Sequence, residues 1–111
     1  MIKANPEVQT MYALKYDNGK FCHPCSRPKI TRLYDSKGEI FKVEVREIKE
    51  GEKGEYWGWI ESGDTNPEET GEITMIWPSK IQSDMCFSYG PKKSEEAGHG
   101  RQVNLVVTEV V

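Results

Sequence analysis

The stretch 40–60 constrains the fold more than any other part of the chain. Its first half alternates the apolar residues Phe41, Val43 and Val45 with charged residues, which is the period of a β-strand with one buried and one solvated face. A Gly-Glu-Lys-Gly turn at 51–54 follows, and the residues after it carry two tryptophans on one face. The sequence therefore predicts a β-hairpin over 40–60 whose indoles pack on the aliphatic side chains and seed the core.

The rest of the chain also favours strands. Alternation predicts strands over 10–16, 20–22, 29–34, 72–77 and 101–111. Asn18-Gly19 predicts a type I′ hairpin turn after the first of these, and Pro24 is expected to end the second. In the fourth, Ile73, Met75 and Trp77 are expected to share a face. In the last, valines on both faces predict a position in the centre of a sheet or at a subunit interface.

Helical signals are weak. Segment 79–86 fits either one short helical turn, with Ser79 as its cap and Ile81 and Met85 spaced by four, or an irregular crossing. Segment 90–100 has the composition of an exposed loop. With 111 residues, the chain forms one domain, 1–111. The predicted fold is mainly β: a small curved antiparallel sheet or partly open barrel with at most one short helix.

Composition excludes some classes of partner. The 15 basic and 18 acidic residues give a net charge of −3, which argues against general attraction to nucleic acid. No apolar run approaches the roughly 18 residues of a membrane span, and the first ten residues lack the apolar segment of a signal peptide. Three cysteines, an odd number, fit a reducing compartment better than a disulfide framework. We therefore expect a cytoplasmic protein with no membrane partner.

An acidic segment without basic residues runs from 61 to 72. Its carboxylates are Glu61, Asp64, Glu68, Glu69 and Glu72. The segment lacks the order of oxygen ligands that a calcium loop requires. It is expected to be a solvated loop, or a loop that a protein with a basic groove recognises electrostatically.

The sequence Cys22-His23-Pro24-Cys25 has the spacing of half a zinc site. With Cys86 and His99 it would make a structural site of three Cys and one His, although the spacing of that second pair is not typical of zinc. A redox motif would need the first thiolate at the start of a helix. The simpler interpretation makes Cys22 and Cys86 small core residues and Cys25 a loop thiol.

Aromatic residues are abundant between 56 and 89, more than one face of a small core needs. If some are exposed beside basic side chains, they would form a stacking and phosphate-binding surface for a nucleotide or a hot spot for a protein. The residues of this candidate surface are Lys80, Tyr89, Lys92, Lys93 and Arg101. Catalytic signals are thin, since the two histidines, His23 and His99, accompany neither a nucleophile motif nor a phosphate loop.

Segments 11–21, 76–90 and 98–107, MYALKYDNGKF, IWPSKIQSDMCFSYG and GHGRQVNLVV, resemble small bacteriophage-encoded accessory proteins of uncharacterised role. The resemblance implies a non-catalytic protein that occupies a host protein or sequesters a small signal molecule, often against a host defence system. We therefore expect a non-enzymatic inhibitor or modulator that binds a host protein. The alternatives are an oligomeric module that sequesters a nucleotide and a zinc-stabilised adaptor, and no other cofactor is expected.

Overall fold

The computed structural model describes residues 3–4, 6–61, 70–87 and 90–111. Its strands are β1 Lys3–Ala4, β2 Val8–Lys15, β3 Phe21–Cys25, β4 Phe41–Glu47, β5 Tyr56–Glu61, β6 Thr70–Gly71, β7 Ile73–Trp77 and β8 Gly100–Glu109. Its helices are α1 Pro28–Arg32, α2 Lys80–Asp84 and α3 Pro91–Glu96. The mainly β fold is confirmed, with three short helices in place of the single one expected.

Six of the strands form one antiparallel sheet in the order β3-β2-β4-β8-β5-β7, which curls into a nearly closed barrel. Side chains bridge the two sides of the barrel. Gln9 on β2 exchanges two hydrogen bonds with the backbone of Ile73 on β7, at 3.2 and 2.6 Å. The Tyr56 hydroxyl on β5 accepts a hydrogen bond of 2.8 Å from the Phe21 N–H on β3. These contacts hold strands together that share no backbone ladder.

The C-terminal strand lies in the middle of the sheet, which is one of the two positions that its valines predicted. β8 pairs with β4 on one side and with β5 on the other. The predicted hairpin over 40–60 is therefore wrong, because β8 separates its two strands. The local pattern identified β4 and β5 correctly. However, the ten-residue strand β8 pairs with both of them, and its buried Val103 and Leu105 complete the core between them.

The core occupies the inside of the barrel. Val43, Val45 and Leu105 are fully buried there, as the alternation of β4 and β8 predicts. On β5 the prediction that the two tryptophans face the core is wrong. Gly58 lies opposite Val103 in the ladder, so β5 turns Tyr56, Gly58 and Ile60 inward and Trp57 and Trp59 outward.

A residue in the left-handed region changes the phase of β7. Met75 has φ +52°, and the register against β5 shifts at this point. Ile73 and Ile76 are consequently buried, while Met75 is exposed. The expectation that Ile73, Met75 and Trp77 share a face is therefore wrong, because a β-bulge adds one residue to the strand.

β3 continues past Pro24, where the sequence predicted an end. His23 has φ +51°, and a register shift against β2 accommodates the extra residue. Because β3 is an edge strand that pairs with β2 on one side, no second neighbouring strand requires the backbone N–H that Pro24 lacks. The turn before β3 also differs from prediction. Only Gly19 has positive φ, and its N–H donates to the Tyr16 carbonyl, which is the pattern of a type I turn followed by a left-handed glycine.

Two helices replace predicted non-helical segments. Residues 29–34 do not form a strand, since α1 begins at Pro28, and residues 90–100 contain α3, which begins at Pro91. In both helices proline stands in the first turn, where its missing N–H costs nothing and its fixed φ suits the helix. In the ranges that the structure describes, no helix is long and apolar enough to cross a membrane.

Candidate functional site

Helix α2 is capped at its start and is held against the outer face of the barrel by polar contacts near its C-terminal end. The Ser79 hydroxyl caps its start by accepting a hydrogen bond from the Gln82 N–H. The Gln102 side-chain amide on β8 donates to the Ser83 hydroxyl at 3.1 Å and to the Asp84 carboxylate at 2.7 Å. That bond and Lys80 lower the pKa of Asp84. The helical alternative for 79–86, with Ser79 as the cap, is thus confirmed.

An aromatic layer lies beside this helix. Trp57 on β5 pairs directly with Trp77 on β7, and the Lys80 ammonium lies 5.6 Å from the centre of the Trp57 ring. The Trp77 indole N–H is buried and has no hydrogen-bond acceptor among the described residues. Trp59 is 3% exposed and packs against Phe87, with ring centres 4.8 Å apart. Part of the aromatic excess therefore covers the outside of the barrel.

The other side of α2 faces solvent. Ile81 and Met85, spaced by four, are 72% and 77% exposed, whereas Ser83 is buried. The two side chains therefore form an exposed apolar face, because Ser83 takes the sheet-facing position and bonds to Gln102. We call Trp57, Trp77, Lys80, Ile81 and Met85 the α2 surface.

The acidic segment is described only at its ends. Glu61 is exposed at the end of β5, and its N–H donates to the Glu72 carbonyl at 3.3 Å, so the two ends lie side by side. Asp64, Glu68 and Glu69 lie outside the described residues. Recognition of this segment by a basic partner stays a prediction.

The basic and aromatic residues predicted to bind a nucleotide lie in different places. Lys80 contacts Trp57 and pairs with Asp84 on the outer face. Arg101 pairs with Glu47, in the phase that faces the interior. Lys92 and Lys93 are exposed on α3, and Tyr89 lies outside the described residues. The structure thus assembles Lys80 with an indole but places Arg101 elsewhere.

The cysteines are free thiols in three different environments. Cys22 is buried, and burial, followed by the charge of Asp35, raises its pKa. Cys25 lies half-buried in β3, where its thiol contacts the His23 carbonyl at 3.3 Å. Cys86 is exposed, so its interpretation as a core residue is wrong. His99 is also exposed. Within the described ranges, no three His, Cys, Asp or Glu side chains are grouped to hold a metal ion.

A second polar feature lies at the end of the barrel where β4 finishes and β8 begins. Arg101 donates two hydrogen bonds to the Glu47 carboxylate, at 2.6 and 2.7 Å. Arg46 makes a similar pair with Glu52, at 2.7 and 2.9 Å. Together with the Lys49 N–H, this guanidinium holds the pKa of Glu52 at about 2, well below the ordinary range. Both pairs are bidentate, the geometry that best fits guanidinium to carboxylate.

The sequence contained a signal for this second feature. Position 47 breaks the apolar phase of β4, because Glu47 stands where the alternation of Phe41, Val43 and Val45 requires the next apolar residue. The ladder with β8 is regular through Glu47, where the strand ends. Arg101 breaks the phase of β8 in the same way. Two opposite charges in the core-facing phases of two strands indicate an ion pair at a barrel end.

Comparisons with known proteins return no match: no family model, no curated protein and no solved structure is similar to the chain.

Proposed function

We propose that the protein is a non-enzymatic binding module that inhibits or modulates a host protein by docking it on the α2 surface. The observation that carries this proposal is the exposure of Ile81 and Met85 on a helix that is anchored to the barrel. Burying either side chain against a partner would contribute about 1.5–3 kcal/mol. Neither side chain belongs to the buried core of the described residues.

Anchoring makes the surface suitable for docking. The Ser79 cap and the Gln102 bonds fix the helix before a partner arrives, so little conformational entropy remains to be lost on binding. Tryptophan and methionine are also enriched at protein interfaces. An aromatic layer next to two exposed apolar side chains is therefore the composition expected of a small hot spot.

The class of partner follows from the sequence. A chain with net charge −3 and an acidic segment over 61–72 favours a partner with basic residues around an apolar pocket. The resemblance to phage accessory proteins makes a bacterial host protein, in the cytoplasm, the proposed target.

Affinity capture from a bacterial lysate tests the docking surface. Ile81→Glu with Met85→Glu adds two charges where apolar contact is proposed, and we expect at least a tenfold loss of the captured protein, equal to about 1.4 kcal/mol. The matched control is Val110→Glu with Val111→Glu, which makes the same exchange at two other exposed apolar positions. Equal capture by the α2 variant and the wild type would refute the proposal, provided that circular dichroism shows both folded.

The acidic segment is tested separately in the same assay. Reversing Glu61, Asp64, Glu68 and Glu69 to Lys should reduce capture and its dependence on ionic strength if the partner is basic. Undiminished capture would remove this segment from the interface and leave the α2 surface as its only proposed part.

A further inference from the structure

The end of the barrel with the Glu47–Arg101 pair contains a cleft of about 440 Å³. Two of its lining residues, Glu47 and Arg101, belong to the core-facing phases of their strands. The apolar phase of β4 ends in Glu47, and that of β8 begins with Arg101. Near the cleft, β1 pairs in parallel with β6, and Ala4 of β1 packs against the core. The cleft therefore lies between the N-terminal segment and the mouth of the barrel, a common position for ligand sites in β-barrels.

The charge of this cleft is opposite to that of the protein. Among the described residues that line it, four are basic and two are acidic, a formal excess of two positive charges in a chain of net charge −3. The residues are Lys3, Arg46, Lys49, Arg101, Glu7 and Glu47. Counting Glu52, which pairs with Arg46, an excess of one remains. A concave site with excess charge of one sign concentrates small ions of the other sign.

We propose that this cleft binds a small organic phosphate, of about the size of a mononucleotide, through Arg101. The side chain of Arg101 is only 17% exposed, and it already holds the two oxygens of Glu47 in a bidentate pair. A phosphate presents a similar pair of oxygens and carries more charge than a carboxylate. It takes the place of Glu47 on the guanidinium, while Lys3 and Lys49 balance its charge. The volume lies in the usual range for small-molecule sites.

This geometry makes Glu47 a competitor of the ligand. Removing its charge should tighten binding, because the lining gains one net positive charge and no carboxylate at position 47 competes with the ligand for the guanidinium. Removing the charge of Arg101 or Lys49 should weaken binding. The cleft shares no residue with the α2 surface, so its test is independent of the proposed docking function.

Calorimetry with purified protein tests the site, using ribose 5-phosphate and adenosine monophosphate, with citrate and inorganic phosphate as comparison anions. We expect both phosphate esters to bind with Kd below about 1 mM at low salt, and Arg101→Gln to weaken them at least about tenfold. Lys49→Gln, at an exposed position, should weaken them about threefold without affecting folding. Glu47→Gln should tighten them.

The control variant is Lys37→Gln, which removes an exposed charge in the turn before β4, at the opposite end of the barrel. It should bind like the wild type. Three results would overturn the proposal: no heat with either phosphate ester, citrate binding as tightly as the esters, or equal affinity in the Lys37→Gln and Lys49→Gln variants. Weaker binding in Glu47→Gln would overturn the competition between Glu47 and the ligand.

Discussion

Single residues account for the polar features of this barrel. Glu47 and Arg101 occupy the core-facing phases of β4 and β8, yet each meets a charged partner instead of an apolar one. A partly buried charge is tolerated only where it is paired and hydrogen-bonded, and the bidentate geometry supplies both. The same reasoning applies at Arg46 and Glu52, whose pair ties the end of β4 to the turn that follows it.

The Arg46–Glu52 pair predicts a dependence of stability on acid. Because the pKa of Glu52 is lowered to about 2 in the folded protein, its ionised form stabilises the fold above about pH 4.5, and this contribution is lost as the pH falls through about 2. Glu52→Gln should therefore lower Tm at neutral pH, and the difference from the wild type should shrink between pH 5 and pH 2.

Thermal unfolding at several pH values measures this effect. Glu50→Gln is the matched control, since it removes an exposed carboxylate two residues away. A Tm difference between wild type and Glu52→Gln that stays constant down to pH 2 would contradict the assignment.

Among the elements, α1 shows most clearly where tertiary contacts decide local structure. Residues 29–34 alternate like a strand, but Pro28 starts a helix there. Thr31, which is fully buried, donates its hydroxyl to the Tyr12 carbonyl of β2 at 2.7 Å. A β-branched residue with a hydroxyl suits this position because it fills space and satisfies a backbone acceptor on the neighbouring strand.

This contact yields a prediction for α1. Thr31→Val keeps the shape and removes the donor, so it should cost about 1–3 kcal/mol of unfolding free energy. Thr31→Ser keeps the donor and removes a methyl group, which should cost about 0.8 kcal/mol. Urea unfolding of the three proteins compares them. The account of α1 is wrong if the valine variant is as stable as the wild type while the serine variant is not.

For the whole molecule, the sequence predicts the strands better than their arrangement. Period-2 alternation located β2, β4, β5, β7 and β8, because one buried face leaves that pattern in any antiparallel sheet. It did not predict that β8 separates β4 from β5, since pairing between distant strands leaves no local mark. Bulges at His23 and Met75 also escaped it, because both residues adopt positive φ without being glycine.

The candidate sites were predictable to different degrees. The expected candidate surface included Lys80, which lies over the Trp57 ring beside α2; a binding role for this contact stays a prediction. Ile81 and Met85 were placed on one helical face. Their exposure depends on Gln102, which lies nineteen residues after Ser83 and bonds to it on the inner side of α2. For the charged cleft at the barrel end, the only signal in the sequence is that Glu47 and Arg101 each interrupt the apolar alternation of their strands.

These features describe a barrel that serves as scaffold, with its proposed docking surface on the outside at α2. Site-specific photo-crosslinking tests this claim most directly. With p-benzoylphenylalanine in place of Met85, we predict one discrete adduct in bacterial cells that unlabelled wild-type protein competes away and Ile81→Glu suppresses. The same probe in place of Leu33, which is 84% exposed directly after α1, should not form it. Identical adducts from both positions, or none from position 85, would contradict the account.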